Sequence, residues 1–482
     1  MQLIAPNFDY EDTTPLYLQL YLYLRNAILT GGILPGEKLL SLRSMSKQLG
    51  VSVTTIDLAY NQLLTEGYII SKPQSGYYVC SIPSEPGKNR NTKHLIPKDC
   101  ETAFGSLSYL DNTALEGTYY DSATFDFIKW KKCTNKILTD YSNFLLLEGD
   151  PRGEAPLRYE ISKYIYQARG VRCTPEQIVI GAGTQQLTGL LCIILNRLGI
   201  EYVAFEEPGY VPIQDIFQTR GFKMSLVPVL KDGIQIEKLP ANIKSVAYVS
   251  PSNQFPTGSI MPIGRRYALL DWASQNNSII IEDDYNSELR YFGKAVPSLQ
   301  GLDEEGRVIY LGSFSSTLFP SIKISYMVLP EPMLKLFEEV LGGYNQTCSK
   351  TEQMTLALYM EKGLYQTNIK KLRNLYSQKI QIATQSLKKY LKNQVKVLSN
   401  TSGLHMLLEV PLKSNQTIET LCAKAIKKRL PMTPVSANQI EKQNRKENAL
   451  LIFYYTRVPL EELDSAIKSF SEILQQSSET TN

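Results

Sequence analysis

The 482-residue chain has only two histidines, His94 and His405, which lie far apart in the sequence. Its seven cysteines, Cys80, Cys100, Cys133, Cys173, Cys192, Cys348 and Cys422, are scattered and form no C-x-x-C pair. That scarcity and spacing argue against a zinc site and against a disulfide framework. No apolar run approaches the roughly 20 residues needed to span a bilayer. The opening Met1-Gln2-Leu3-Ile4-Ala5-Pro6 has neither the basic nor the apolar region of a signal peptide, so a cytoplasmic location is expected. An excess of one charge is missing too. The 51 lysines and arginines against 47 aspartates and glutamates leave a net +4, too little over this length to argue for nucleic acid. A case for DNA must therefore rest on motif. What remains is a globular balance of 43% hydrophobic and 20% charged residues, in a chain long enough for about two to four folding units.

Residues 13–80 read as one module. Thr14-Pro15 suits a helix start, with Thr as cap and Pro in the first turn. Leu16, Leu20, Leu24, Ala27 and Ile28 then recur at three- and four-residue steps on one face, until Gly31-Gly32 and Pro35-Gly36 break the helix. A second helix is predicted from Ser41 to Leu49, stopped by Gly50. Ser52 caps a third, whose Ile56, Tyr60, Leu63 and Leu64 face inward until Gly67. Two short runs, Tyr68-Ile69-Ile70 and Tyr77-Tyr78-Val79, joined by Lys72-Pro73-Gln74-Ser75-Gly76, form a hairpin. The order is helix-turn-helix followed by a wing.

Residues 81–118 are polar, rich in turn formers and too poor in apolar groups to pack a core, and they read as a linker. A larger domain is expected over 119–475. There Val203-Ala204-Phe205, Val246-Ala247-Tyr248-Val249, Ile279-Ile280-Ile281 and Val308-Ile309-Tyr310-Leu311 alternate with helix-length amphipathic stretches. This is the pattern of a mostly parallel central sheet with helices on both faces, an α/β fold. A long helical region near 352–392, then strand-like 404–410 and 450–455, predict a smaller C-terminal α+β lobe.

Several stretches of the first module closely resemble the GntR-type winged helix: Pro15-Leu16-Tyr17-x-Gln19, Pro35-Gly36-Glu37-Lys38-Leu39, Leu42-Arg43, Leu49-Gly50-Val51-Ser52, Glu66-Gly67-Tyr68-Ile69 and Ser75-Gly76-Tyr77-Tyr78-Val79. The resemblance implies that the third helix enters the major groove of double-stranded DNA while the wing approaches the backbone or minor groove. It assigns DNA contacts to Arg43, Ser52, Thr54, Thr55, Lys72, Ser75 and Gly76, with Arg43 foremost. Two features depart from an ordinary DNA binder. Residues 1–80 carry five basic side chains against six acidic ones, and Val53 stands where the family has an arginine after the capping serine. The linker cations Lys88, Arg90, Lys93 and Lys98 can add binding through counterion release.

The larger domain resembles fold-type I aminotransferases, in the arrangement of MocR-type regulators. The landmarks are Glu148-Gly149-Asp150-Pro151-Arg152-Gly153 with Leu157-Arg158, Ile178-Val179-Ile180-Gly181-Ala182-Gly183-Thr184-Gln185, Glu206-Glu207-Pro208-Gly209-Tyr210, Pro251-Ser252-Asn253-Gln254-Phe255-Pro256-Thr257-Gly258 and Ile281-Glu282-Asp283-Asp284-Tyr285. In this family the first is the approach to the active site. The resemblance implies pyridoxal 5′-phosphate as cofactor, with Gly183, Thr184 and Gln185 as phosphate donors at a helix start. Tyr210 would stack on the ring, Asp283 would hold the ring nitrogen protonated, and Tyr285 would bond the phenolic oxygen. Ser313 and Lys323 are implied at the phosphate side. Asn253 stands on the substrate-side loop where the family has histidine.

The family's Gly-Thr/Ser-Phe-Ser-Lys-Thr-Leu-x-Pro appears here as Gly312-Ser313-Phe314-Ser315-Ser316-Thr317-Leu318-Phe319-Pro320. Ser316 thus occupies the position of the Schiff-base lysine. Serine neither forms that bond nor shuttles the proton, and losing a general base alone costs about 10² to 10⁴ in rate. Lys323 replaces a phosphate-binding arginine, keeping charge without the forked donor geometry. Ile452 stands where a carboxylate-binding arginine is expected, and Arg457 is the nearby candidate to replace it. The expectation is a DNA-binding regulator whose second domain dimerises the chain and senses pyridoxal phosphate, or its adduct with an amino acid, without transaminase turnover. Three alternatives stay open at this point: a pocket that is only scaffold, a working aminotransferase with a DNA-binding appendage, and a DNA-independent interaction protein. The resemblance also implies a head-to-tail homodimer, hence paired half-sites in an operator.

Overall fold

A computed structural model of the chain describes residues 8–9, 14–81, 121–291, 296–392, 394–399, 403–412, 417–439 and 448–476. The expected linker and its four cations lie outside these, apart from Ser81. Two units separate, Met1–Ala103 and Phe104–Asn482.

In the first unit, helix α1 (Leu16–Leu29) buries Leu20, Tyr21, Leu24 and Ile28, one face of the spacing seen in the sequence. Thr14 does not cap it. The boundary residue is Pro15, which has no side-chain acceptor, and the Thr14 carbonyl instead receives Gln19 Nε2 at 2.8 Å. Helix α2 (Leu42–Leu49) starts under Ser41, whose hydroxyl accepts the Ser44 N–H. It stops at Gly50, which adopts the left-handed φ of 68° that glycine tolerates best. Helix α3 (Val53–Thr65) starts under Ser52, whose Oγ accepts the Thr55 N–H at 3.1 Å. Its Ile56, Ala59, Tyr60 and Leu63 join the α1 face and Met45 in one core. Strands β1 (Ile69–Lys72) and β2 (Gly76–Val79) pair antiparallel, with Lys72 opposite Gly76, and make the wing.

The second unit is built on eight strands: β3 (Ile178–Gly181), β4 (Tyr202–Glu207), β5 (Lys223–Leu230), β6 (Gly233–Ile234), β7 (Ser245–Val249), β8 (Ile279–Asp283), β9 (Val308–Ser313) and β10 (Ser325–Val328). Their order in the sheet is β3-β10-β9-β8-β7-β4-β5-β6. From β5 through β9 in that order the pairs are parallel. Strand β10 runs antiparallel to both its neighbours, and the edge strand β6 is antiparallel to β5. The reversal of β10 has a physical cause. Parallel pairing needs a crossover of about a dozen residues or more, usually helical, whereas residues 314–324 carry only the 3₁₀ turn Pro320–Ile322.

The continuous apolar runs reflect burial on both faces. Ile279 and Ile281 pack with Val203, Phe205 and Val246 under the helices Thr184–Arg197 and Val211–Thr219. Ile280 points the other way, with Ala204 and Ala247, toward Leu269 and Trp272 of the helix Ile263–Gln275.

The smaller lobe is a four-stranded antiparallel sheet of β11 (Lys396–Ser399), β12 (Met406–Pro411), β13 (Met432–Pro434) and β14 (Asn448–Phe453), in the order β11-β12-β14-β13. It packs on the helices Leu364–Leu391 and Leu463–Gln476. Among the described residues, no helix is long and apolar enough to cross a membrane.

Candidate functional site

Parallel pairing brings the carboxyl ends of β4, β7, β8 and β9 to one edge of the sheet, the place where open α/β sheets bind ligands. A cavity of about 330 Å³ is found there. It is lined by Glu206 of β4, Tyr248 and Ser250 of β7 and its exit, Asp283 and Tyr285 at the end of β8, and Ser313 at the end of β9 with Ser316 beyond it.

At one end lies Asp283. Burial pushes its carboxyl up to about 6, the Tyr248 hydroxyl counters this by donating to Oδ2 at 2.7 Å, and the neighbouring Asp284 adds to the rise. Beside it the Tyr285 hydroxyl is buried with no hydrogen-bond partner among the described residues. Glu206 is deeper still. Burial raises its carboxyl to about 8 although Oε2 accepts the Ser250 N–H at 3.1 Å. Tyr210 lines the cavity while 44% exposed, edge-on to Phe255 with ring centroids 6.2 Å apart.

The other end is formed by β3, the turn after it and the start of the helix Thr184–Arg197. Gly183 takes a φ of 94° there, and its N–H donates to the Gly181 carbonyl at 2.9 Å. That amide, expected at a phosphate, is therefore already used. The donors left over are the N–H groups of Thr184 and Gln185, which a helix start leaves without intrahelical acceptors. Thr184 lines the cavity, and the Gln185 side chain is exposed. The Ser313 Oγ accepts Ser325 Oγ at 2.9 Å and the Ser315 N–H at 3.3 Å. No lysine is among the lining residues. The cation that lines the cavity is Arg457, whose guanidinium lies 4.4 Å from the centroid of the Tyr454 ring.

Three expected participants stand elsewhere. Lys323 closes the Pro320–Ile322 turn with a left-handed φ of 48°; it is exposed and does not line the cavity. Asn253 is buried against Gly403, in a small cleft beside Arg169 and Ser287 that shares Asn286 with the cavity. The Glu148–Gly153 segment, expected at the approach, does not line the cavity and is tied to Lys350, Gln346 and Arg158. Arg158 pairs with Asp150 at 3.0 Å and donates to the carbonyls of Gly153 and Pro175. Ile452 is fully buried in β14. Tyr248, inside an apolar strand, reads as core in the sequence, and Glu206 stands in the Glu206–Tyr210 landmark without a role of its own. Their position at the carboxyl end of a buried strand was the available signal.

In the winged helix Arg43 is exposed in the first turn of α2, Thr54 is exposed, Thr55 is half-buried, and the Ser52 hydroxyl engages Thr55. The wing is organised by a residue the sequence reading passed over. Lys72 lies 4.5 Å and Lys38 5.9 Å from the centroid of the Tyr78 ring, and the Tyr78 hydroxyl meets Ser75 Oγ at 2.6 Å. Alternation along β2 turns Tyr78 away from the buried Val79, so this face was legible in principle. Gly76 begins β2 with a φ of 109°.

Comparison with known proteins matches residues 116–452 to the family "Aminotransferase class I and II" and residues 16–79 to "Bacterial regulatory proteins, gntR family". The uncharacterized HTH-type transcriptional regulator YdeL of Bacillus subtilis is 40% identical, over 90% of this chain and 92% of its own. The probable rhizopine catabolism regulatory protein MocR of Rhizobium meliloti is 30% identical over 83% of this chain and 82% of its own. The HTH-type pyridoxine biosynthesis transcriptional regulator PdxR of Corynebacterium glutamicum is 30% identical over 86% and 88%. Among solved structures, the kynurenine aminotransferase of Pyrococcus horikoshii shares the fold. Its TM-score is 0.64 at 24% identity, over 80% of this chain and 98% of that one. With a gntR-type winged helix and an aminotransferase class I and II domain in one chain, the protein belongs to the gntR-family transcriptional regulators of MocR type.

Proposed function

We propose that the cavity holds pyridoxal 5′-phosphate, alone or joined to an amino acid, without a covalent bond to the protein, and that its occupancy governs how the winged helix binds an operator. Asp283 meets the ring nitrogen, Tyr285 the phenolic oxygen, and Tyr210 the face of the ring. Ser313 and the N–H groups of Thr184 and Gln185 take the phosphate, and Arg457 is left for the carboxylate of an amino-acid part. When bound, the cofactor supplies an electron-withdrawing ring. Among the described residues no lysine lines the cavity, and on this reading the domain senses and does not turn over. One observation carries the reading. Among the described residues the buried Tyr285 hydroxyl has no partner, and it sits beside the half-buried Asp283 carboxyl, which has a tyrosine donor and no counter-charge; a ligand that meets both completes them. The likeness to a regulator named for pyridoxine biosynthesis, and to an aminotransferase solved with PMP, supports a pyridoxal-type ligand.

The remaining parts follow the same reading. Arg43, Ser52, Thr54, Thr55, Lys72, Ser75 and Gly76 contact DNA, and a cytoplasmic homodimer reads paired half-sites. The modules are 13–80 and 119–475, joined by the linker 81–118. Titration of the full chain with pyridoxal phosphate, followed by absorbance and then borohydride reduction, tests the cavity. A saturable spectral change with no modified lysine is expected, and a reduced lysine peptide from this domain would mean an enzyme instead. Arg43→Ala should weaken binding to DNA upstream of the protein's own gene by about 1–3 kcal/mol, and unchanged binding would sink the DNA assignment.

A further inference from the structure

Lys379, on the helix Leu364–Leu391, has no exposed side-chain surface. An ammonium has three donors, and three acceptors meet this one: the carbonyl of Thr456 at 2.9 Å, the carbonyl of Val458 at 2.6 Å and Asp121 Oδ2 at 2.6 Å. The two carbonyls belong to the residues on either side of Arg457, which lines the cavity. The same turn is held from the other side, where Thr456 Oγ1 donates to the carbonyl of Leu404, another lining residue, at 2.8 Å. Asp121 is the first described residue after 82–120, and its second carboxylate oxygen accepts the Ala123 N–H at 2.8 Å. One buried ammonium therefore joins the turn that presents Arg457 to the point where the larger domain begins. Packing alone does not account for it, since an apolar side chain would fill the same hole without desolvating two charges.

We propose that Lys379 is a positioning residue that, with Asp121, fixes Arg457 at the cavity and links occupancy of that cavity to the chain segment leading to the DNA-binding module. The link to occupancy rests on the cavity reading above; the tie itself does not. A ligand carboxylate drawn onto Arg457 steadies the 455–458 turn, which keeps both carbonyls on Lys379 and so keeps Asp121 held. Coupling of this kind requires a contact that differs between the empty and filled states, and the ammonium is where the two ends share one.

The test is hydrogen exchange on the full chain, comparing wild type with Asp121→Asn and Lys379→Met. The probes are pyridoxamine 5′-phosphate and its reduced adduct with alanine, which adds a carboxylate. Without probe, Asp121→Asn should speed exchange at the amides of Arg457 and Val458 by about tenfold, the effect of one weakened charged hydrogen bond, while amides of α3 and β8 keep their rates. With the adduct, wild type should gain protection at Arg457 and Val458 and also at Ala123 and Thr124; Asp121→Asn should gain it at Arg457 and Val458 alone. Wild type should also prefer the adduct over pyridoxamine phosphate, and Lys379→Met should lose that preference while still binding pyridoxamine phosphate. Adduct protection that reaches Ala123 and Thr124 equally in Asp121→Asn overturns the proposal, as does unchanged probe-free exchange at Arg457 and Val458. If neither probe changes the spectrum of the wild type, the cavity reading and the link to occupancy fall together, and the probe-free comparison still decides the tie.

Discussion

At the Asp283 end of the cavity a half-buried carboxyl, the tyrosine that donates to it and a second enclosed tyrosine face the interior. The Ser316 end offers hydroxyls and the N–H groups of a helix start, and no lysine. The two ends are carried differently. Asp283 and Tyr248 sit on adjacent central strands whose alternate residues fill both faces of the sheet, whereas Ser316 lies in the short segment between β9 and β10. On the proposed reading, a serine in place of lysine in such a segment removes chemistry without touching the core. An unpaired buried carboxyl costs stability unless a counter-charge arrives, so the Asp283 end makes physical sense as a site that a ligand completes.

The strongest way to break this contrast is to supply a lysine at the Ser316 end. Ser316→Lys should hold pyridoxal phosphate covalently, so that borohydride reduction modifies residue 316. Single-turnover amine transfer should rise by about 10² to 10⁴ over wild type, the range of a positioned general base. If no cofactor is trapped at residue 316, the two ends do not belong to one site. Next in size, Asp283→Asn should weaken noncovalent cofactor binding by about 10- to 100-fold, as expected for losing a hydrogen bond to a charged group worth about 1.5–3 kcal/mol. Ser316→Ala in the same spectroscopic titration should leave affinity within about threefold, too little to reflect the loss of a net-favourable hydrogen bond. Equal losses in the two variants would erase the distinction between the ends. Tyr248→Phe should cost about 1 kcal/mol, or roughly fivefold in affinity, because it removes one neutral donor from Asp283.

Local signals were legible in the sequence. Gly50 and Ser52 mark the stop of α2 and the start of α3 because capping acts over three or four residues, whereas Ser41, expected as the first residue of α2, is its cap; the absence of lysine at 316 follows from a short pattern. What escaped needs the fold. Tyr248 sits inside Val246-Ala247-Tyr248-Val249 and reads as core until parallel pairing sets β7 beside β8. The Lys379–Asp121 pair joins the start of the larger domain to a helix far along its chain, beyond any periodicity. Lys323 closes the Pro320–Ile322 turn in a left-handed conformation, exposed and not among the residues lining the cavity, which a short sequence pattern does not announce. Strand β10 reverses because its connection is too short to cross over, which an apolar run alone does not announce.

The smallest effect is the most specific to the contrast. In the absence of ligand the carboxyls of Asp283 and Glu206 are raised to about 6 and about 8 by burial, against about 4 in an unfolded chain. Between those values the folded protein holds more protons than the unfolded one. The stability these groups contribute is therefore present below about pH 4 and lost as pH rises through about 6 and then about 8. Melting temperatures of the ligand-free protein should fall from about pH 5 to about pH 8, with a loss on the order of 1–3 kcal/mol per group. Glu282 and Glu288, each raised to about 7 by burial, add a background of the same sign, and neither lines the cavity. The informative quantity is the part of the slope that Asp283→Asn removes and that saturating pyridoxal phosphate also removes, since a protonated ring nitrogen gives Asp283 its counter-charge. A slope that the substitution flattens and the cofactor leaves alone would mean that the ring nitrogen does not sit at Asp283, and the preserved end of the cavity would then need another ligand.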